Sequence, residues 1–154
     1  MKRRHLLAAV ATVALTTTQL LGAAPASAAT ASARIVSRVN ISPADPGVAS
    51  LSAYYVCQPG PYAVRLWVSV KQSATGTFDR RLQQEFSSQV SAAWLESHPS
   101  SQVVCDGRYH LQTFTIDTQG PGFGALQRGV VWVQFCLFDG QNTFVNVYGW
   151  YPAS

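Results

Sequence analysis

Cysteines 57, 105 and 136, three histidines and seven carboxylates are all that the 154 residues offer for thiol, imidazole or carboxylate chemistry. A thiol nucleophile needs a base within hydrogen-bond reach and a third group to orient that base. Cys136, His110 and Asp117 can be written down as such a set, but no spacing brings them together. His110 follows a tight turn by three residues and reads as an ordinary strand position; His98, before Pro99, reads as an exposed loop residue. The chain has no G-x-S-x-G elbow, His-x-x-x-His pair, Cys-x-x-Cys pair or phosphate-binding glycine loop. Asp106 and Asp139 each precede a glycine and serve turns, and Asp45 lies in a proline-flanked loop; none has a second carboxylate at ligand spacing. No catalytic residue, metal or cofactor is therefore expected, and the chain reads as a non-enzyme.

The fate of the thiols depends on compartment. The chain begins with a basic cluster (Lys2, Arg3, Arg4, His5) and an apolar run from Leu6 to Leu15, followed by three threonines and then Ala26-Ser27-Ala28. That is the order of a secretory signal peptide, with cleavage expected after Ala28 and a secreted product. The apolar run is far short of the ~20 residues that a bilayer span needs, and no later stretch is longer. In an oxidising exterior a disulfide is the default. Cys57 and Cys105 both sit near strand ends and are the expected pair, leaving Cys136 as a free thiol, more readily a buried apolar one than an intermolecular bridge or a nucleophile.

Cleavage also changes the charge. The whole chain carries 11 basic and 7 acidic residues; three basic residues lie in the leader, so the remainder is 8 − 7 = +1. A nearly neutral chain has no electrostatic footprint for nucleic acid, which is excluded as a partner. The 154 − 28 = 126 residues left suffice for one core. We divide the chain into a leader over 1–28, a flexible start over 29–33 and a single domain over 34–154.

The elements that must position any site are mostly strands. Arg34 to Ile41 alternates and ends in a loop at Ser42–Gly47. Val48 to Cys57 alternates next. After Gln58–Pro61, Tyr62 to Lys71 turns Leu66, Val68 and Val70 to one face and Trp67, Ser69 and Lys71 to the other. Leu82, Phe86, Val90 and Trp94 recur every four residues, which with Asp79 as N-cap predicts a helix around 79–95, although the same residues also fit a strand's period of two. Two Asp-Gly pairs, Asp106-Gly107 and Asp139-Gly140, predict two-residue hairpins. About seven short strands separated by breakers predict an antiparallel immunoglobulin-like β-sandwich, with a Greek-key barrel as the alternative.

Counting outward from a two-residue Asp139-Gly140 turn sets Phe135 opposite Phe144, Val131 opposite Tyr148, Trp132 opposite Val147 and Gln134 opposite Val145, so both faces of this hairpin are largely apolar. Such a hairpin is either covered on both sides or presents a patch to an external partner. Trp67, Trp132, Trp150 and Tyr151 are the candidate surface, since aromatic rings anchor proteins and sugar faces alike. The expected function is a secreted binding or cell-envelope-associated module for an extracellular protein or glycan. The alternative is a secreted proteinaceous inhibitor of hydrolases, for which Gln119 to Leu126 is the candidate reactive loop.

Tyr54 to Cys57, Ala63-Val64 with Val68-Ser69-Val70-Lys71-Gln72, Val103-Val104-Cys105-Asp106-Gly107 and Thr113-Phe114-Thr115-Ile116 together resemble small secreted actinobacterial proteins of unknown function. The resemblance spans roughly residues 48 to 150. It implies an immunoglobulin-like domain and a Cys to Cys-Asp-Gly disulfide, here Cys57 to Cys105, and no activity. The longer Phe78 to Ser97 segment and the additional Cys136 depart from that pattern.

Overall fold

Period-two alternation dominates the chain, and the fold it builds is two antiparallel sheets packed face to face. The computed structural model describes residues 31–60, 63–84, 87–98, 101–119, 123–140 and 142–154; the leader read over 1–28 lies outside them. The strands are β1 (Ser32–Ile35), β2 (Asn40–Ile41), β3 (Ala49–Val56), β4 (Arg65–Gln72), β5 (Ala93–Glu96), β6 (Ser101–Gln102), β7 (His110–Ile116), β8 (Thr118–Gln119), β9 (Gly129–Phe138) and β10 (Thr143–Ala153). In the first sheet β3 pairs with β7 along one edge and with β1 and β2 along the other. The second has the order β10-β9-β4-β5-β8, with β6 also on β4. It is an open sandwich and not a closed barrel.

The inward residues are those the alternation predicts. Leu51 and Tyr55 of β3 and Phe114 and Ile116 of β7 meet Leu66, Val68, Val133, Phe135 and Leu137 of the opposite sheet in one core. Phe114 stands edge-on to Phe135, ring centroids 5.6 Å apart, and ties the layers together.

Four expectations are corrected. Ser32 and Ala33, read as a flexible start, already pair with Val56 and Tyr55. The strand read over Arg34 to Ile41 is broken, because Val39 leaves β3 and bridges Ala153 at the edge of the second sheet. There its N–H donates to Pro152 and its carbonyl accepts from Ser154.

The helix over 79–95 is absent. Asp79 does cap, accepting from the Arg81 N–H at 3.0 Å, but the described residues of this segment form two 3-10 turns, Arg80–Gln83 and Ser87–Gln89, and no α-helix. Residues 93–96 become β5 instead. Their period-two face supplies Ala93 and Leu95 to the core and satisfies the free edge of β4, an outcome of tertiary pairing over local propensity.

Neither Asp-Gly pair makes a two-residue hairpin. Val103 to Cys105 forms no strand: the Val104 N–H donates to the Tyr55 hydroxyl and the Gly107 N–H to the Cys57 carbonyl, so the end of β3 holds this arm. Asp139-Gly140 does connect two paired strands, and Gly140 takes the positive φ (+88°) the turn needs. The connection runs from Phe138 to its partner Thr143, however, and the register shifts again between Thr143 and Val145. That bulge changes which side chains share a face.

Candidate functional site

With the shifted register, Phe135 pairs with Val147, Gln134 with Tyr148 and Trp132 with Trp150. The inner face of β10 therefore takes Val145, Val147 and Tyr151, and the outer face takes Asn146, Tyr148 and Trp150. Across β4 and β5 the same rows continue, Lys71 pairing with both Trp132 and Trp94, Ser69 with both Gln134 and Glu96, and Trp67 with Cys136. All four tryptophans of the chain, Trp67, Trp94, Trp132 and Trp150, thus project from the outer face of the second sheet.

Three of them, Trp67, Trp94 and Trp132, line a groove of about 670 Å³, in the size range of small-ligand sites. Trp67, Trp94 and Tyr148 supply its aromatic walls, Trp132 and Lys71 its floor, and Gln134 and Asn146 amide groups. The first 3-10 turn contributes Gln83, and its C-cap Gln84, at the rim. Trp132 is 9% exposed, packed by Tyr148 (5.6 Å) and Trp150 (5.2 Å), and Phe78 lies 4.4 Å from the Trp150 ring. The segment after β4 therefore flanks this face, while Tyr148 stays 63% exposed.

The chain matches no protein-family model and no curated protein.

The electrostatics of the groove centre on Lys71, which is only 4% exposed. Its Nζ lies 4.0 Å from the centre of the Trp94 ring, a cation–π contact. Burial pulls its pKa below the usual range, and the field of Glu96 partly opposes that. No carboxylate among the described residues stands within ion-pair distance of it. On the same sheet face the buried indole N–H groups of Trp94 and Trp150 and the Ser69 hydroxyl find no hydrogen-bond partner among the described residues. Cys136 lies in the row of Trp67, donating its S–H toward Asn146 Oδ1 at 3.5 Å, and burial pushes its pKa up, which leaves it a poor nucleophile.

Cys57 and Cys105 are bonded to each other, Cα atoms 4.7 Å apart, and Cys136 is a buried free thiol. Of the expected aromatic surface, Trp67, Trp132 and Trp150 share the outer face; Tyr151 does not, and packs against the core. Trp94, Tyr148 and Lys71 belong to the site and were not expected. The triad does not assemble. His110 is 2.8 Å from Asp106 and stacks on Tyr55, Asp117 is 3.3 Å from His98, and Cys136 is on the outside of the other sheet. Of the Gln119 to Leu126 loop, Gln119 is in β8, Phe123 packs on Trp94, Gly124 is bonded to Ala92 and Leu126 is buried; residues 120–122 lie outside the described residues. Among the described residues no three metal-ligating side chains cluster, and no helix is long and apolar enough to cross a membrane.

Proposed function

We propose that the protein is a secreted, non-enzymatic binding or cell-envelope-associated module of immunoglobulin-like type that takes its ligand in the tryptophan-lined groove of the second sheet. The observation that carries this reading is the placement of all four tryptophans on one outward sheet face, three of them lining an open groove. Indole rings are the side chains with most to gain from the core, and a sheet that turns four of them outward has a surface suited to being covered. Amides interspersed among the rings suit a ligand that is polar at its edges and apolar on its faces. The leader-like N-terminus supports secretion, and the Cys57–Cys105 disulfide is consistent with an extracellular location.

Co-sedimentation with insoluble cell-wall material and with purified wall polysaccharides tests the reading. The secreted protein is expected in the pellet, and a Trp67→Ala/Trp94→Ala variant with unchanged thermal unfolding is expected in the supernatant. Equal pelleting of both would remove the groove as the binding surface.

A further inference from the structure

We infer that the groove takes an acidic saccharide, sugar faces lying on the aromatic rings that line it and a carboxylate meeting the Lys71 ammonium. The inference rests on the groove being the binding surface, as proposed above.

Two features favour a saccharide over an apolar peptide segment. Aromatic and amide side chains share the lining of the groove, Trp67, Trp94 and Tyr148 with Gln83, Gln134 and Asn146. A pyranose has C–H faces that lie on aromatic rings and a rim of hydroxyls, each able to donate and accept, as amides also do. An apolar peptide would instead strip water from those amides without replacing their hydrogen bonds.

The charge follows from Lys71. It is buried at 4% exposure on the groove floor, and no anion among the described residues stands within ion-pair distance. Burying an ammonium without an ionic partner is unfavourable, and the Trp94 ring 4.0 Å away compensates only part of it. Glu96 contributes a field at Lys71, but its register position is beside Ser69, one outward row away. A carboxylate entering over Lys71 supplies an ionic partner that no described residue provides. A single cation matches one carboxylate, whereas a phosphate monoester carries up to two charges.

The test uses tetrasaccharides of galacturonate, glucuronate and mannuronate, each paired with its carboxyl-reduced neutral form, titrated into the secreted protein by tryptophan fluorescence and calorimetry. At least one acidic form is expected to bind about tenfold or more tightly than its reduced counterpart, the effect of one charge-assisted contact. In Lys71→Met and Lys71→Gln that preference is expected to collapse while thermal unfolding stays cooperative. Equal binding of acidic and reduced forms, or a preference that survives both substitutions, overturns the inference. Tryptophan-dependent pelleting with wall polysaccharide but no binding of any acidic tetrasaccharide overturns it too, yet keeps the groove as the binding surface. Loss of both signals removes both.

Discussion

The Lys71 ammonium lies 4.0 Å from the centre of the Trp94 ring, joining β4 to β5 across the outer face of the second sheet. Burial holds the Lys71 pKa below its usual 10.5, with Glu96 on β5 pulling the other way. The folded chain therefore releases this proton at a lower pH than the unfolded chain. The cost of the buried charge is full at neutral pH and is relieved as pH rises from the lowered pKa toward 10.5. Cys136 and Tyr151, whose pKa values burial raises, act in the opposite sense, their contribution being lost as pH rises. Comparison with Lys71→Met isolates the lysine. In urea titrations, the stability of the wild-type protein relative to that variant is expected to increase between neutral pH and 10.5, and a flat difference would show that the amine is not desolvated.

Gly129 and Gly140 bound β9, both at positive φ, +149° and +88°. A Cβ on Gly129 would run into the carbonyl oxygen of Gly76, which accepts the Val130 N–H at 2.8 Å, whereas a Cβ on Gly140 meets nothing. Gly140→Ala is expected to cost about 1 kcal/mol, the backbone term alone. Gly129→Ala adds a steric clash with backbone and is expected to cost more than about 2 kcal/mol. Urea midpoints of the two variants check this order, and equal costs would contradict the close approach of Gly76 to Gly129.

How far this was legible in the sequence depends on the strand. In β4, alternation alone separates Leu66, Val68 and Val70 from Trp67, Ser69 and Lys71, and the structure keeps that division. In β10 the same rule fails, because the longer connection after Phe138 and the bulge before Val145 move the pairing by an odd number of residues. Tyr148 and Trp150 thereby join Trp132, and Tyr151 turns inward. Trp94 satisfied a helical period and a strand period equally, so only its pairing with Lys71 across β4 and β5 reveals its face. A lysine at an outward strand position ordinarily reads as solvated. Lys71 is buried by neighbours from distant strands, which no local pattern encodes.

Tyr55 links the disulfide to the first sheet. Its hydroxyl accepts from the Val104 N–H and donates to Gln112 Oε1, both at 3.1 Å, and the residue is 1% exposed. Tyr55→Phe leaves the Val104 N–H without this acceptor and is expected to cost about 1–2 kcal/mol. Replacing Cys57 and Cys105 by alanine opens a loop with a sequence separation of 48 and is expected to cost about 4 kcal/mol on the chain-entropy estimate. Without the crosslink the Val104 arm is free to move away from β3. The cost of Tyr55→Phe should therefore shrink in the alanine background, and strict additivity in a double-mutant cycle would mean that the two features act independently.

Cys136 offers a view of the groove that does not depend on fluorescence. The residue is 8% exposed, pairs with Trp67 in the sheet and has its pKa raised by burial. A thiol reagent acts on the thiolate, so both burial and the raised pKa slow the reaction. At pH 8, Ellman's reagent is expected to modify the native protein at least about tenfold more slowly than the urea-unfolded chain. Asn146 Oδ1 is 3.5 Å from the thiol, so Asn146→Ala should thin the cover and speed the native reaction. An occupant of the groove, which Trp67 and Asn146 both line, should slow it further in the wild-type protein. Native and unfolded rates that agree within a factor of about two would place the thiol in open solvent and contradict its burial beside Trp67 and Asn146.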